Sequence, residues 1–211
     1  IANRAIEMLG EKKGTMASPE VWGPFAWKIL HAASFDSDAR SFSLLVEAFQ
    51  LTIPCMHCRS SFKYYCKKVP LQCMEASSDC DMQAKWAWKL HDSVNLKLDK
   101  TPRLPFSTLQ RRKQVFGLTV TADDVFGFLF VALLQGGEPA VYAPALAPRI
   151  AACFPTSDFA SFLRAPVKGD PFTHFVAQKR AYSVAKQCPI ETAGQVKERC
   201  SAANASFVKM K

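Results

Sequence analysis

No apolar run in this 211-residue chain is long enough to cross a bilayer. The longest, Val125 to Leu134, has ten residues, about half of what a spanning helix needs. No signal-peptide pattern is visible. Long runs of like charge are missing too, the longest basic one being Arg111-Arg112-Lys113. The net charge of +9 is therefore scattered over the surface, which ranks a nucleic-acid-binding role last. Such a balance can favour acidic partners, anionic membranes or nucleic acid, but charges this scattered fit a solvated basic surface better. The second half holds no phosphate loop, no catalytic triad and no repeat of the first half. Paired two-residue cysteine knuckles are absent as well, which weakens a zinc cluster.

What is present is enough apolar content for a real core, 49% of residues, with an ordinary 21% charged. Eight cysteines are too many for a chain kept reduced and too few for a disulfide scaffold, so redox or metal chemistry fits better than stapling. The stretch Ile53 to Cys66 organises the rest. It sets a Cys-x-x-Cys pair, Cys55 and Cys58, directly after Pro54 and at the head of a segment with helical periodicity in Phe62, Tyr65 and Cys66. In a first helical turn, free amides and the positive helix end favour the thiolate. A low thiol pKa makes both a good leaving group and a good electron donor. The rival is a zinc-stabilised interaction module using Cys55, Cys58, Cys66 and Cys73, with Cys80 nearby. A c-type haem is excluded because Arg59, not His, follows Cys58. A bridge closing so short a loop would stabilise little, so a purely structural role explains it poorly.

In chain order, residues 1–18 form a lead-in. Ser18-Pro19-Glu20 predicts a helix start. The helix that follows, to about Phe35, sets Trp27 and His31 on one face. A second helix spans about Arg40 to Ile53, with Phe42, Leu45, Val46 and Phe49 on its stripe. Residues 69–81, with Cys73 and Cys80, read as a loop. A fourth helix runs from about Met82 to Asp99 with an apolar stripe of Trp86, Leu90, Val94 and Leu98. Opposite lie Trp88, His91, Asp92, Asn95 and Lys100, a set able to stack on, hydrogen-bond to and charge-pair with a flat anionic cofactor. Pro102 and Pro105 end that helix, and Phe106 to Phe116 makes a short fifth.

Trp22-Gly23-Pro24 with Trp27 and Leu30-His31, the pair Cys55-Met56-His57-Cys58, and His91-Asp92-Ser93-Val94-Asn95 with Leu98 and Lys100 stand in the order and at the spacing of the Erv/ALR family of FAD-linked sulfhydryl oxidases. The chain resembles that family over about residues 19–117. The resemblance implies an all-α fold: a four-helix bundle plus a short fifth helix binding FAD. It implies Cys55 and Cys58 as the catalytic pair, with Cys58 next to the flavin and Cys55 exchanging with the outer dithiol. It implies cofactor contacts from Gly23, Trp27, His31, Trp88, His91, Asp92, Val94, Asn95, Leu98 and Lys100. Three positions depart from the pattern: Pro24 replaces an Arg common in the family, Trp88 replaces a cysteine of its structural disulfide, and Phe35 or its neighbours replace its tyrosines.

Residues 119–211 are expected to form a second small helical domain beyond a family domain at 19–118. Thr121 to Asp124 predicts a helix start, Gly136-Gly137 its stop, and Pro139, Pro144 and Pro148 a loop region. Further helices are expected at Ile150–Cys153, Ser157–Leu163 and Phe172–Gln187. The segment is apolar enough to form its own core or to pack on the first. Cys188 and Cys200, in the polar tail, are the expected shuttle dithiol, with Cys73 and Cys80 as the other candidate. A C-terminal extension with cysteines is similar to the kinetoplastid branch. Dithiol proteins, such as an intermembrane-space import oxidoreductase, are the implied substrates, with oxygen or cytochrome c as acceptor. The mitochondrial intermembrane space is the implied location, with the secretory pathway or a viral factory as alternatives. Family members pair through their first helices, implying a homodimer unless the added domain covers the same patch in cis.

Overall fold

The computed structural model describes residues 18–68, 81–100, 104–116 and 119–186, with the main chain alone at 112–116. Its elements are α1 (Pro19–Asp36), α2 (Ala39–Thr52), α3 (Met56–Lys68), α4 (Met82–Lys97), α5 (Phe106–Phe116), α6 (Ala122–Gln135), α7 (Gly137–Cys153), α8 (Ala160–Arg164) and α9 (Pro171–Ala185). No strand occurs among the described residues, so the all-α expectation holds.

The helix starts follow local chemistry. Pro19 at the head of α1 gives up an amide that would have no partner there anyway. Asp38 caps α2 by accepting from the Ser41 amide at 2.9 Å. Thr121 and Asp124 form a reciprocal capping box at α6. Asp170 accepts from the Thr173 amide at 2.8 Å to start α9.

In the first half, α1 lies against α2 and α4, α2 against α3, and α3 against α4, with α5 on α4. The second half pairs in the same order: α6 lies against α7 and α9, α7 against α8, and α8 against α9. Across the halves α1 meets α6, and α2 meets α7 in the most extensive contact of the molecule. The second half thus repeats the helix pairing of the first, although the sequence shows no repeat. The residues are alike only in short stretches such as Val21-Trp22-Gly23 against Val125-Phe126-Gly127 and Ile53-Pro54 against Phe154-Pro155. In the place of α3 the second half has the five residues of α8. Packing order depends on which faces are apolar, and many sequences satisfy the same faces.

The buried side chains of both halves form one cluster, so the second half packs on the first rather than around a core of its own. Phe49 of α2 and Phe128 of α6 stand 4.9 Å apart, centroid to centroid, and both are fully buried. Gly127 is needed where α6 crosses α1: a Cβ there would come within 2.8 Å of the Phe25 ring. Lys28 of α1 reaches Asp124 of α6 at 2.6 Å. Arg149 of α7 donates to the Leu44 carbonyl of α2 at 2.7 Å.

The proline-marked loop after Gly137 is also corrected: Pro139, Pro144 and Pro148 lie within α7. Pro139 falls in the first turn, where its missing amide costs nothing. The other two each remove a helical hydrogen bond. Burial of Ala143, Leu146, Ala147, Ile150 and Ala151 offsets that cost. Gly136, with φ of 72°, makes the sharp elbow between α6 and α7.

Candidate functional site

Thr52 ends α2, and Ile53 and Pro54, both buried, carry the chain into α3. Cys55 stands just before the first residue of α3 and Cys58 in its first turn. The two are joined in a disulfide with Cα atoms 5.1 Å apart, inside the range an unforced bridge adopts. The Cys58 amide donates to Cys55 Sγ at 3.2 Å, and the Arg59 amide donates to the Cys55 carbonyl at 2.9 Å. One amide of this first turn, that of Cys58, therefore faces the Cys55 sulfur, and the positive end of the helix favours a thiolate when the bridge opens. Both cysteines are half-buried, while Met56 between them is 63% exposed.

Arg59 was noticed in the sequence only for what it excludes. Its guanidinium donates to the carbonyls of Ile53 at 2.7 Å and Pro54 at 3.3 Å. It also pairs with Glu138 of α7 at 3.3 Å, and Lys63 reaches the same carboxylate at 3.7 Å. Glu138 carried no sequence signal, because its partner lies about 80 positions away on a different helix.

The zinc alternative needs Cys55 and Cys58 as separate thiolates, and they are bonded to each other. Among the described residues no group of three or more His, Cys, Asp or Glu is placed to hold a metal ion. Cys66 and Cys153 are buried free thiols, each pushed up to about 12 by burial. Such thiols are inert at neutral pH.

Where α1 packs on α4, three rings meet. Trp27 stacks on His91 with centroids 3.9 Å apart and planes within 4°. His31 Nε2 lies 2.8 Å from His91 Nδ1, so one ring donates and the other accepts. Both imidazoles are neutral. Burial lowers His31 to about 4, and burial together with the charges of His31 and Lys100 sets His91 well below the usual histidine range. His31 Nδ1 is buried without a partner, an orphan that a ligand atom would satisfy. Gly23, also buried, has open space on its Cβ side. Tyr65 of α3 donates to the Ser93 carbonyl of α4 at 3.4 Å, and Lys97 of α4 donates to Ser61 of α3 at 2.6 Å, so the helix bearing the disulfide is tied to the helix bearing His91.

Not every expected residue converges there. Trp88 donates its indole N–H to the Leu104 carbonyl at 2.8 Å and packs edge-on to Phe106 with centroids 6.1 Å apart. It thereby clasps α4 to the segment leading into α5. Trp88 and Asp92 line a shallow depression of about 250 Å³ with Leu104 and Pro105. Val94 and Asn95 are half-buried on α4, and Lys100 is exposed beyond it. Leu98, read from the sequence as part of the buried stripe, is 49% exposed because the helix ends at Lys97 and the chain turns away. Cys73, Cys80, Cys188 and Cys200, the two candidate shuttle pairs, lie outside the described residues.

The neutral histidines make stability depend on pH. An unfolded His31 takes a proton near 6.5, whereas the folded one takes none until about 4. Protons therefore favour the unfolded chain across that window. Stability is full above about pH 6.5 and falls toward pH 4, with His31 alone accounting for about 2 kcal/mol by pH 5. Thermal midpoints measured from pH 8 to pH 5 will show this decline, and His31→Phe will flatten it.

The Erv1 / Alr family model matches residues 25–114, which span most of α1 through nearly all of α5. The chain is also 27% identical over 85 residues to a protein of Acanthamoeba polyphaga mimivirus named "Probable FAD-linked sulfhydryl oxidase", in a match covering 37% of this chain and 59% of that relative. The chain thus spans about three-fifths of the length of the curated relative it matches. No solved structure matches the chain significantly.

Proposed function

We propose that the chain, whose residues 25–114 match the Erv1 / Alr family model, is a flavin-dependent thiol oxidase that makes disulfides in partner proteins. One observation carries this most: a Cys55–Cys58 disulfide at the head of α3, packed along the α4 helix whose His91 stacks on Trp27 of α1.

The residues where α1 meets α4 suit FAD. Trp27, His31 and His91 offer flat aromatic faces and an unpartnered ring nitrogen, Asn95 a carboxamide, and Lys100 a positive charge toward an anionic diphosphate. Bound there, FAD supplies a two-electron acceptor that restores the disulfide and can be reoxidised by oxygen or a cytochrome c-type protein.

The work of the chain itself is thiol exchange. A substrate thiolate attacks Cys55 Sγ, forming a substrate–Cys55 bond and breaking the Cys55–Cys58 bond, whose electron pair leaves on Cys58. A second substrate thiolate then displaces Cys55. The substrate ends oxidised by two electrons, the pair reduced by two, and the thiol protons pass to solvent. The place of Cys58 in the first turn of α3, near the positive end of that helix, favours its thiolate.

Cys188 and Cys200 remain the proposed relay between bulky substrates and Cys55, and an oxidising compartment such as the mitochondrial intermembrane space the proposed location. Because α6 and α7 already cover faces of α1 and α2, pairing in cis is proposed in place of a homodimer.

The test is the absorbance spectrum of purified protein together with oxidation of dithiothreitol. A yellow, active protein supports the proposal, and a colourless, inactive one overturns it. His91→Ala will lower flavin content and thermal midpoint together, since a ligand held only by the folded state stabilises it. A variant that keeps full flavin and full stability places the cofactor elsewhere.

A further inference from the structure

Beside Cys55 lies a groove of about 370 Å³ with two walls of different origin. One is the Pro54–Arg59 turn of the disulfide. The other is the α6–α7 elbow, Gln135 to Pro139, contributed by the half of the chain outside the family match. Cys55 lines this groove and Cys58 does not, so the sulfur open to attack faces a space that the second half completes.

Resting on the thiol-oxidase proposal above, we propose that this groove docks an extended, cysteine-bearing, acidic segment of a partner protein, and that the α6–α7 elbow selects it. Three observations support that occupant. The middle of the elbow wall carries no side chain: beside both Gly136 and Gly137 a Cβ would meet nothing within 4 Å, which leaves room for an extended strand of protein. Glu138 is held by Arg59 and Lys63, so the elbow is fixed to the turn that positions Cys55 and is not a free flap. Four and eight residues on from Arg59, Lys63 and Lys67 continue a basic stripe along the outside of α3. Glu138 pairs with Arg59 and Lys63, offsetting one of their two charges, and leaves exposed Lys67 for the partner. A segment with acidic residues flanking its thiol would meet opposite charge along this stripe, which raises encounter rates and excludes basic competitors.

The chemistry is the exchange already written: substrate sulfur bonds to Cys55, the Cys55–Cys58 bond breaks, and its electron pair leaves on Cys58. The groove adds only which thiol arrives.

The experiment uses the full chain with bound flavin and three reductants: dithiothreitol, a synthetic Cys-x-x-Cys peptide flanked by Glu, and the same peptide flanked by Lys. At low salt the Glu-flanked peptide should show a KM lower by about tenfold than the Lys-flanked one, and 0.5 M salt should shrink the difference. Lys67→Glu should narrow or invert the preference. Gln135→Trp, which fills the groove from the elbow, should raise the KM of both peptides far more than that of dithiothreitol. Flavin content and thermal midpoint verify that each variant is folded, and Lys67→Glu, at an exposed site, serves if Gln135→Trp does not fold. Equal KM for the two peptides, unmoved by either substitution, overturns the groove while leaving the oxidase chemistry standing. An unmodified chain inactive on dithiothreitol is not a thiol oxidase, and the groove falls with it.

Discussion

Replacing Cys58 by Ser abolishes dithiol oxidation, lowering turnover by at least about a thousandfold, because the group that leaves in the first exchange and takes the electron pair is gone. Flavin content and thermal midpoint should change little, since a three-residue bridge removes little entropy from the unfolded chain. Cys55→Ser should be as inactive, with a difference in what accumulates. The Cys58 thiol left by that variant does not line the groove, so it should form mixed disulfides with peptides slowly, whereas Cys55 in Cys58→Ser should form them readily. Mass spectrometry of the protein after incubation with an oxidised peptide distinguishes the two. Mixed disulfides forming faster at Cys58 would reverse the assigned roles. Cys66 and Cys153 provide an internal reference: buried and held at about 12, they should remain unmodified in both variants while the protein is folded.

The second large effect concerns the joint between the halves. Phe128→Ala should destabilise the chain by about 3–5 kcal/mol, the usual range for emptying a buried phenylalanine site. Phe128 is fully buried on α6, against Phe49 of α2 and, at 6.5 Å between centroids, Trp22 of α1. In a chain of this size the loss corresponds to a fall of about 10–15 °C in thermal midpoint. Two further outcomes follow from one shared core. Unfolding should be a single transition, because neither half keeps its apolar surface covered without the other. The midpoint should not depend on protein concentration, because the partner surface is part of the same chain. Two resolved transitions would show halves that fold separately, and a concentration-dependent midpoint would restore the homodimer.

The first half was legible in the sequence for definite reasons. Trp22, Trp27, His31, Cys55, Cys58 and His91 are residue types with few alternatives in their roles, and they stand at helical spacings that sequence displays directly. The start of α6 was legible because Thr121 and Asp124 cap it, whereas the caps at Asp38 and Asp170 show only in the structure. The second half was harder for equally definite reasons. Pro144 and Pro148 break helices in isolation, and only the extensive packing of α7 on α2 explains why this one persists. The pairing repeat was hidden because helix order is a property of faces, not of particular residues. The partner of Trp88 was not legible: it shares a helix with His91, and its indole N–H donates to the Leu104 carbonyl beyond that helix. Glu138 could not be found at all, since an ion pair between α3 and α7 leaves no mark in local sequence.

The two-half core also sets how the molecule can change over generations. In a twofold assembly of identical chains, each substitution at the interface appears on both sides at once, so a change that helps one face is imposed on its mirror image. Here α6 and α7 meet α1 and α2 within one chain. A substitution on α7 alters a single position, and the helices bearing Trp27 and His91 are not altered with it. The second half can therefore carry a helix of five residues and prolines within another without imposing either on the first. One gene with two unequal halves can change the proposed docking elbow without changing the turn that holds the disulfide.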